Sequence, residues 1–146
     1  MRRNFMKRKS KFLIILIISI ILIVLIISGI LFLKAKNEKL ITADINNITS
    51  ISVAEWQVET VVIKDKNTIN ELVNYLKSLK NEVSWHLGGP ENWDFRIGIY
   101  ESFEGNLSIM KESFYLTKDG KVYKNKYIYN LDDFDYNYFV SLLKQQ

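Results

Sequence analysis

The sequence predicts an α+β protein: an N-terminal transmembrane helix followed by an antiparallel sheet of about five to six strands with two helices, in the order β-β-α-β-β-β-β-α. Three observations predict it. An uncharged apolar run fills residues 12–33. Beyond residue 47, short stretches of alternating or β-branched residues recur between turn signals. Two stretches with helical spacing, 67–79 and 132–143, interrupt and close that series. Strands joined by short hairpins imply antiparallel pairing with the helices on one face.

The apolar run holds ten Ile, six Leu, two Phe and one Val, relieved only by Ser19, Ser28 and Gly29. So much Ile favours strand in water, but a lone segment in lipid satisfies its backbone hydrogen bonds only as a helix. At about 1.5 Å of rise per residue the helix spans about 33 Å, enough to cross a hydrocarbon core of about 30 Å. The rival reading is a cleavable signal peptide, whose apolar region is usually about 7–15 residues and ends in small residues. Here the run is longer, and the one cleavage context, Leu33-Lys34-Ala35, is poor. An uncleaved anchor in the bilayer is therefore expected.

Charge asymmetry orients it. Arg2, Arg3, Lys7, Arg8, Lys9 and Lys11 precede the run with no acid among them, while Lys34, Lys36, Lys39 and Glu38 follow. The positive-inside rule then puts the N-terminus in the cytoplasm and the C-terminal domain outside the cell membrane. The expected organisation is a basic tail at 1–11, the transmembrane helix at 12–33, a linker at 34–46 and an extracytoplasmic α+β domain at 47–146. The tail is too short to fold, and its ordinary role is attraction to anionic headgroups. A net charge of +4 suggests a nucleic-acid partner, yet six of the positive charges lie in the tail, and four less six leaves −2 for the rest. Nucleic acid is thus not an expected partner. Cysteine is absent, which removes thiol catalysis, thiolate metal sites and disulfide stapling. About 100 residues can bury a core without such staples.

Within the domain, 48–53 and 60–64 read as strands, the second rich in β-branched residues. Thr68-Ile69-Asn70-Glu71 matches a capping box, and Ile69, Leu72, Val73, Leu76 and Leu79 form one apolar stripe behind it. Residues 82–94 read as irregular. Strands follow at 95–100, 107–111, 114–117 and 121–124, and Tyr127 to Tyr129 either extend the last or start another. Asp119-Gly120 predicts a hairpin with a type I′ turn. Asp132 is the expected cap of a closing helix that turns Phe134, Tyr138, Phe139, Leu142 and Leu143 to the core.

The strand pair 48–64 feeding a helix, the aromatic hairpin Phe114-Tyr115-Leu116-Thr117-Lys118-Asp119-Gly120-Lys121-Val122-Tyr123 and the aromatic closing helix resemble uncharacterised small membrane-anchored or lipoprotein domains of Gram-positive bacteria. The richness in Ile, Lys and Asn resembles proteins of AT-rich bacterial genomes. The resemblance implies a fold and a cell-envelope setting, and it carries no activity and no site residues.

Few residues point to chemistry. His86 is the single histidine; with Glu91 and Asp94 it makes only part of a metal site, so neither a metal nor a cofactor is expected. No G-x-S-x-G occurs, and Gly88-Gly89-Pro90 lacks the Lys and Ser/Thr of a phosphate-binding loop. Catalytic residues are not assigned. The least ordinary stretch runs from Trp85 to Trp93, where two Trp flank a Gly-Gly-Pro turn. Trp faces stack on sugar rings and anchor protein interfaces, so Trp85, His86, Glu91 and Trp93 are the candidate contacts for a partner or ligand. The alternative is that both indoles tuck under the loop and close the core. The expectation is a non-enzymatic binding domain for an envelope protein, a secreted protein or a cell-wall polymer, with an immunity- or inhibitor-like role as one form of it. Alternatives are an accessory or regulatory subunit that associates through the membrane helix, and an envelope hydrolase using loop carboxylates.

Overall fold

The computed structural model describes residues 2–36, 38–86, 88–90, 92–104 and 107–144. The chain divides into two compact units, Met1–Asn37 and Glu38–Gln146. The first is a single helix, α1 (Arg2–Lys36), within which Leu13–Lys34 has a mean hydropathy of 3.5 and no buried surface. It is long and apolar enough for a membrane span, a description that a signal sequence also meets. The Ser19 hydroxyl donates to the Ile15 carbonyl at 2.9 Å, so this polar group is satisfied within the helix. The basic residues expected as an unfolded tail are helical from Arg2, because a nucleated helix adds a hydrogen bond for each residue it extends.

The second unit is α+β. Its elements are β1 (Ile48–Glu55), β2 (Thr60–Ile63), α2 (Lys66–Ser78), β3 (Asn81–Trp85), β4 (Phe95–Phe103), β5 (Leu107–Leu116), β6 (Lys121–Lys124), β7 (Tyr127–Leu131) and α3 (Tyr136–Leu143). The described strands form one sheet in the order β2-β1-β4-β5-β6-β7-β3, antiparallel throughout. Seven strands replace the expected five to six. The additions are β7, which is a strand of its own and not an extension of β6, and β3, which lies in the stretch read as irregular. As an edge strand paired only with β7 it buries none of its residues fully, so it shows no apolar alternation. The expected strands 107–111 and 114–117 are one strand, β5. A bulge at Lys111, where the register steps from Ile99↔Glu112 to Tyr100↔Met110, breaks its period of two.

One face of the sheet carries the core. Ile51, Val53, Phe95, Ile97, Ile99, Phe114, Leu116, Val122 and Tyr129 point into it and meet Ile69, Leu72, Val73 and Leu76 of α2 and Phe139 and Leu142 of α3. Both helices start on an aspartate. Asp65 accepts from the Thr68 amide at 2.8 Å, one turn before the cap expected at Thr68; the Thr68 hydroxyl donates to the same carboxylate. Asp135, not Asp132, caps α3 through the Tyr138 amide at 3.0 Å. Tyr138 is 44% exposed, contrary to its expected place in the core.

The expected linker at 34–46 is the largest correction. Helix α1 continues to Lys36, and Leu40, Ile41 and Ala43 are buried in the core of the second unit. Residues 39–44 form a strap laid across three strands. Leu40 O accepts from Lys124 of β6 at 2.7 Å, Thr42 N–H donates to Glu112 of β5 at 2.7 Å, and Asp44 N–H donates to Glu101 of β4 at 2.9 Å. Helix α2 holds the strap and its continuation from the other side, with Lys77 donating to Ala43 O at 3.3 Å and Lys66 to Ile45 O at 2.8 Å. The strap's polar residues made it read as a tether. The apolar Leu40-Ile41 pair is the signal that it packs.

Candidate functional site

At the start of β4 the chain between β3 and β4 faces the hairpin between β5 and β6. The space between them is a cleft of about 670 Å³, lined by His86, Trp93, Asp94, Lys118, Asp119 and Tyr123 among others. That volume is in the ordinary range for a small-ligand site.

Local hydrogen bonding sets both walls. On one side His86 N–H donates to Lys126 O at 2.8 Å, continuing the β3–β7 ladder by one residue. Asp94 is the pivot. Its N–H donates to Leu116 O at 3.1 Å, its carbonyl accepts from Trp56 N at 3.0 Å, and its carboxylate accepts from Lys118 N at 2.7 Å. One residue thus ties the loop, the β1–β2 turn and the hairpin together. On the other side Gly120 N–H donates to Thr117 O at 3.0 Å, and Thr117 N–H donates to Lys121 O at 2.9 Å. Only Gly120 (φ 79°) of the pair Asp119-Gly120 has a positive φ. The turn is therefore a type I turn followed by a left-handed glycine, not the expected type I′ turn, in which both residues have positive φ. A Cβ on Gly120 would lie 2.8 Å from the Phe134 Cβ, so glycine is also what lets the hairpin sit against the residues leading into α3.

The cleft is both aromatic and charge-paired. Trp93 is half-buried, edge-on to Trp56 at 4.9 Å between ring centres and 5.4 Å from Tyr115. The His86 and Tyr123 rings meet at 5.8 Å. Lys118 faces Asp94 at 3.6 Å, and Lys121 faces Asp119 at 2.7 Å. The hydrogen bond from Lys121, with a second from the Thr117 hydroxyl, holds the Asp119 carboxyl below its usual range, and Asp119 in turn raises Lys121. Each ammonium has a carboxylate, so the cleft presents no uncompensated charge among these pairs. Its chemistry is that of ring faces and hydrogen-bonding groups. Among the described residues no three His, Asp or Glu converge as a metal site.

Of the residues proposed from sequence, the fold brings His86 and Trp93 into this cleft. Trp85 ends β3, is 46% exposed and does not line it. Glu91 lies outside the described residues. Trp93 combines the two readings of the loop, since one side packs on Trp56 and Tyr115 while it also lines the cleft. Sequence reasoning missed Asp94 as the pivot and the hairpin residues Lys118, Asp119 and Lys121. Asp119-Gly120 was legible as a turn, but nothing local shows that the turn faces a loop some 25–30 residues earlier in the chain. Comparison with protein-family models, with curated proteins and with solved structures finds no match to this chain.

Proposed function

We propose that this is a single-pass membrane protein that holds a non-catalytic binding domain outside the cell membrane, N-terminus in the cytoplasm. Its cleft takes a polar, ring-bearing segment of a cell-wall polymer. The observation that carries this reading is the meeting of Trp93, His86 and Tyr123 with two neutralised ion pairs in one open cleft. Apolar C–H faces of a sugar suit the rings, and its hydroxyls suit carboxylates and ammoniums that already balance each other. A phosphate would find each ammonium already paired. A purely apolar ligand would have to desolvate charged groups. The anchor supports the setting: a helix apolar enough to span, preceded by six positive charges.

The test is co-sedimentation of the full-length chain, in detergent micelles, with purified cell-wall sacculi. Tyr123→Ala and Asp119→Asn are expected to weaken retention several-fold with unchanged thermal unfolding, since both side chains are partly or fully exposed. Retention equal to that of the parent chain in both variants would refute the cleft as the site. A second reading, a protein partner intercepted in an immunity-like manner, is favoured by Trp56 and Trp85, which are 57% and 46% exposed. It predicts that Trp85→Ala, which leaves the cleft intact, abolishes capture of that partner while wall retention was never present.

A further inference from the structure

Away from the cleft the sheet narrows to two strands. Strand β1 leaves β4 at the Ile48↔Glu101 pair, and β6 pairs with β5 only at Tyr115 and Leu116. From there β4 continues against β5 through Glu101↔Ile109, Ser102↔Ser108 and Phe103↔Leu107, and on its other side Ser102 N–H still donates to Asn47 O at 3.0 Å. Side chains on a strand alternate, so Glu101 and Phe103 share the face on which Ile99 enters the core, and Ile109 and Leu107 oppose them on it. Past Glu101, which the strap covers, the core face therefore runs on without cover to the end of the ribbon. Phe103, Leu107 and Ile109 are 47%, 64% and 44% exposed.

A two-stranded ribbon is marginal in water, and apolar residues gathered on one of its faces mark a contact. Three observations choose the occupant. The same chain carries a span-length apolar stretch that ends at Lys34, and the globular unit begins at Glu38. A domain tethered that closely meets the lipid surface at an effective concentration that a free partner does not reach. At the ribbon's root Lys111 lies 3.5 Å from Glu101, so that pair offsets itself, and Glu104 beside Phe103 is exposed and able to stay in water. The core-side face is the more apolar of the two, since the other surface mixes the paired Ser102 and Ser108 with Met110, which is 48% exposed.

We propose that the β4–β5 ribbon is a membrane-interface foot, with Phe103, Leu107 and Ile109 seated among the headgroups of the bilayer that α1 spans. The inference rests on the anchor reading above and not on the cleft. It fixes which end of the domain faces lipid and leaves the cleft free.

The chain has no cysteine, so single-cysteine variants report without background. Leu107→Cys and, as a reference in the cleft, Lys118→Cys would be spin-labelled in the full-length chain reconstituted into phosphatidylglycerol–phosphatidylcholine vesicles. The ratio of collisions with oxygen to collisions with a water-soluble nickel chelate reads depth. At Leu107 the ratio is expected to exceed that at Lys118 several-fold. Equal ratios overturn the proposal. Spin–spin broadening at Leu107 that vanishes on dilution with unlabelled chain also overturns it, because the occupant is then a second copy. Alkaline carbonate extraction of the same vesicles separates the two readings: a chain that stays in the pellet with equal ratios is anchored but has no foot, whereas a released chain refutes the anchor and the foot together.

Discussion

Two ion pairs in this domain have the same N–O separation, 2.7 Å, and opposite surroundings. Lys124–Glu112, under the strap, leaves 6% and 4% of its side chains exposed; Lys121–Asp119, at the cleft, leaves 47% and 60%. Distance does not tell them apart, whereas dielectric and partner count do. Buried Glu112 accepts from Lys124, Thr42 N–H and the Thr42 hydroxyl, and buried Lys124 also donates to Leu40 O at 2.7 Å. Each charge taken from water is surrounded by donors or acceptors, the condition under which a buried pair is tolerated. The cleft pair keeps its water, which screens it and leaves it free to exchange its partner for a ligand. One pair holds the strap to the sheet. The other stays in contact with water.

The comparison can be broken by substitution. Lys124→Met strands a buried carboxylate and should cost about 3–5 kcal/mol, read as a lower urea midpoint of the detergent-solubilised chain by tryptophan fluorescence. Adding Glu112→Leu should recover most of that loss, because apolar replacement of both partners is close to neutral. A double variant as unstable as the single would show that the strap is held by the specific bonds and not by the pairing of charge.

Acid tests the buried pair next. Burial pushes the Glu112 carboxyl up, but hydrogen bonds and charge from Lys124 and Thr42 outweigh it and leave the group below its ordinary value. A depressed carboxyl stabilises the fold fully above its unfolded value and loses that contribution as pH falls through its folded value. Stability should therefore hold down to about pH 4.3, the ordinary glutamate value, and fall below it. In the Lys124→Met, Glu112→Leu chain this part of the acid loss should be absent. Urea midpoints at a series of pH values check the sign.

Smaller effects follow. Thr42→Val removes one hydroxyl bond to Glu112 and keeps the backbone one, at a cost of about 1 kcal/mol in the same unfolding assay. Lys121→Met should leave the midpoint unchanged within error and alter only retention on cell-wall sacculi. A clear loss of stability there would mean that the hairpin depends on its exposed pair.

The parts of the molecule legible in the sequence are those whose signal is local. The apolar run, the α2 stripe Ile69, Leu72, Val73 and Leu76, and the alternation Phe95, Ile97, Ile99 each state their partner in their own period. Caps were harder. Thr68 and Asp132 carry the local cap signal where Asp65 and Asp135 serve, because several acceptors compete within a few residues and only the docked helix selects one. The candidate site was half legible: a loop with two Trp stands out, whereas the hairpin facing it does not.

By itself the sequence determined an apolar helix followed by an antiparallel α+β unit, since hydrophobic periodicity and hairpin turns act over a few residues. Tertiary structure alone decided the strap, the edge strand β3 and the cleft. Thr42 meets Glu112 across 70 positions and Leu40 meets Lys124 across 84, and no local pattern encodes such a pairing. A lysine and a glutamate at positions 124 and 112 read as ordinary surface charges until the chain from residue 39 to 44 closes over them. Burial then makes them a lock, because a charge removed from water must find its partners in the fold.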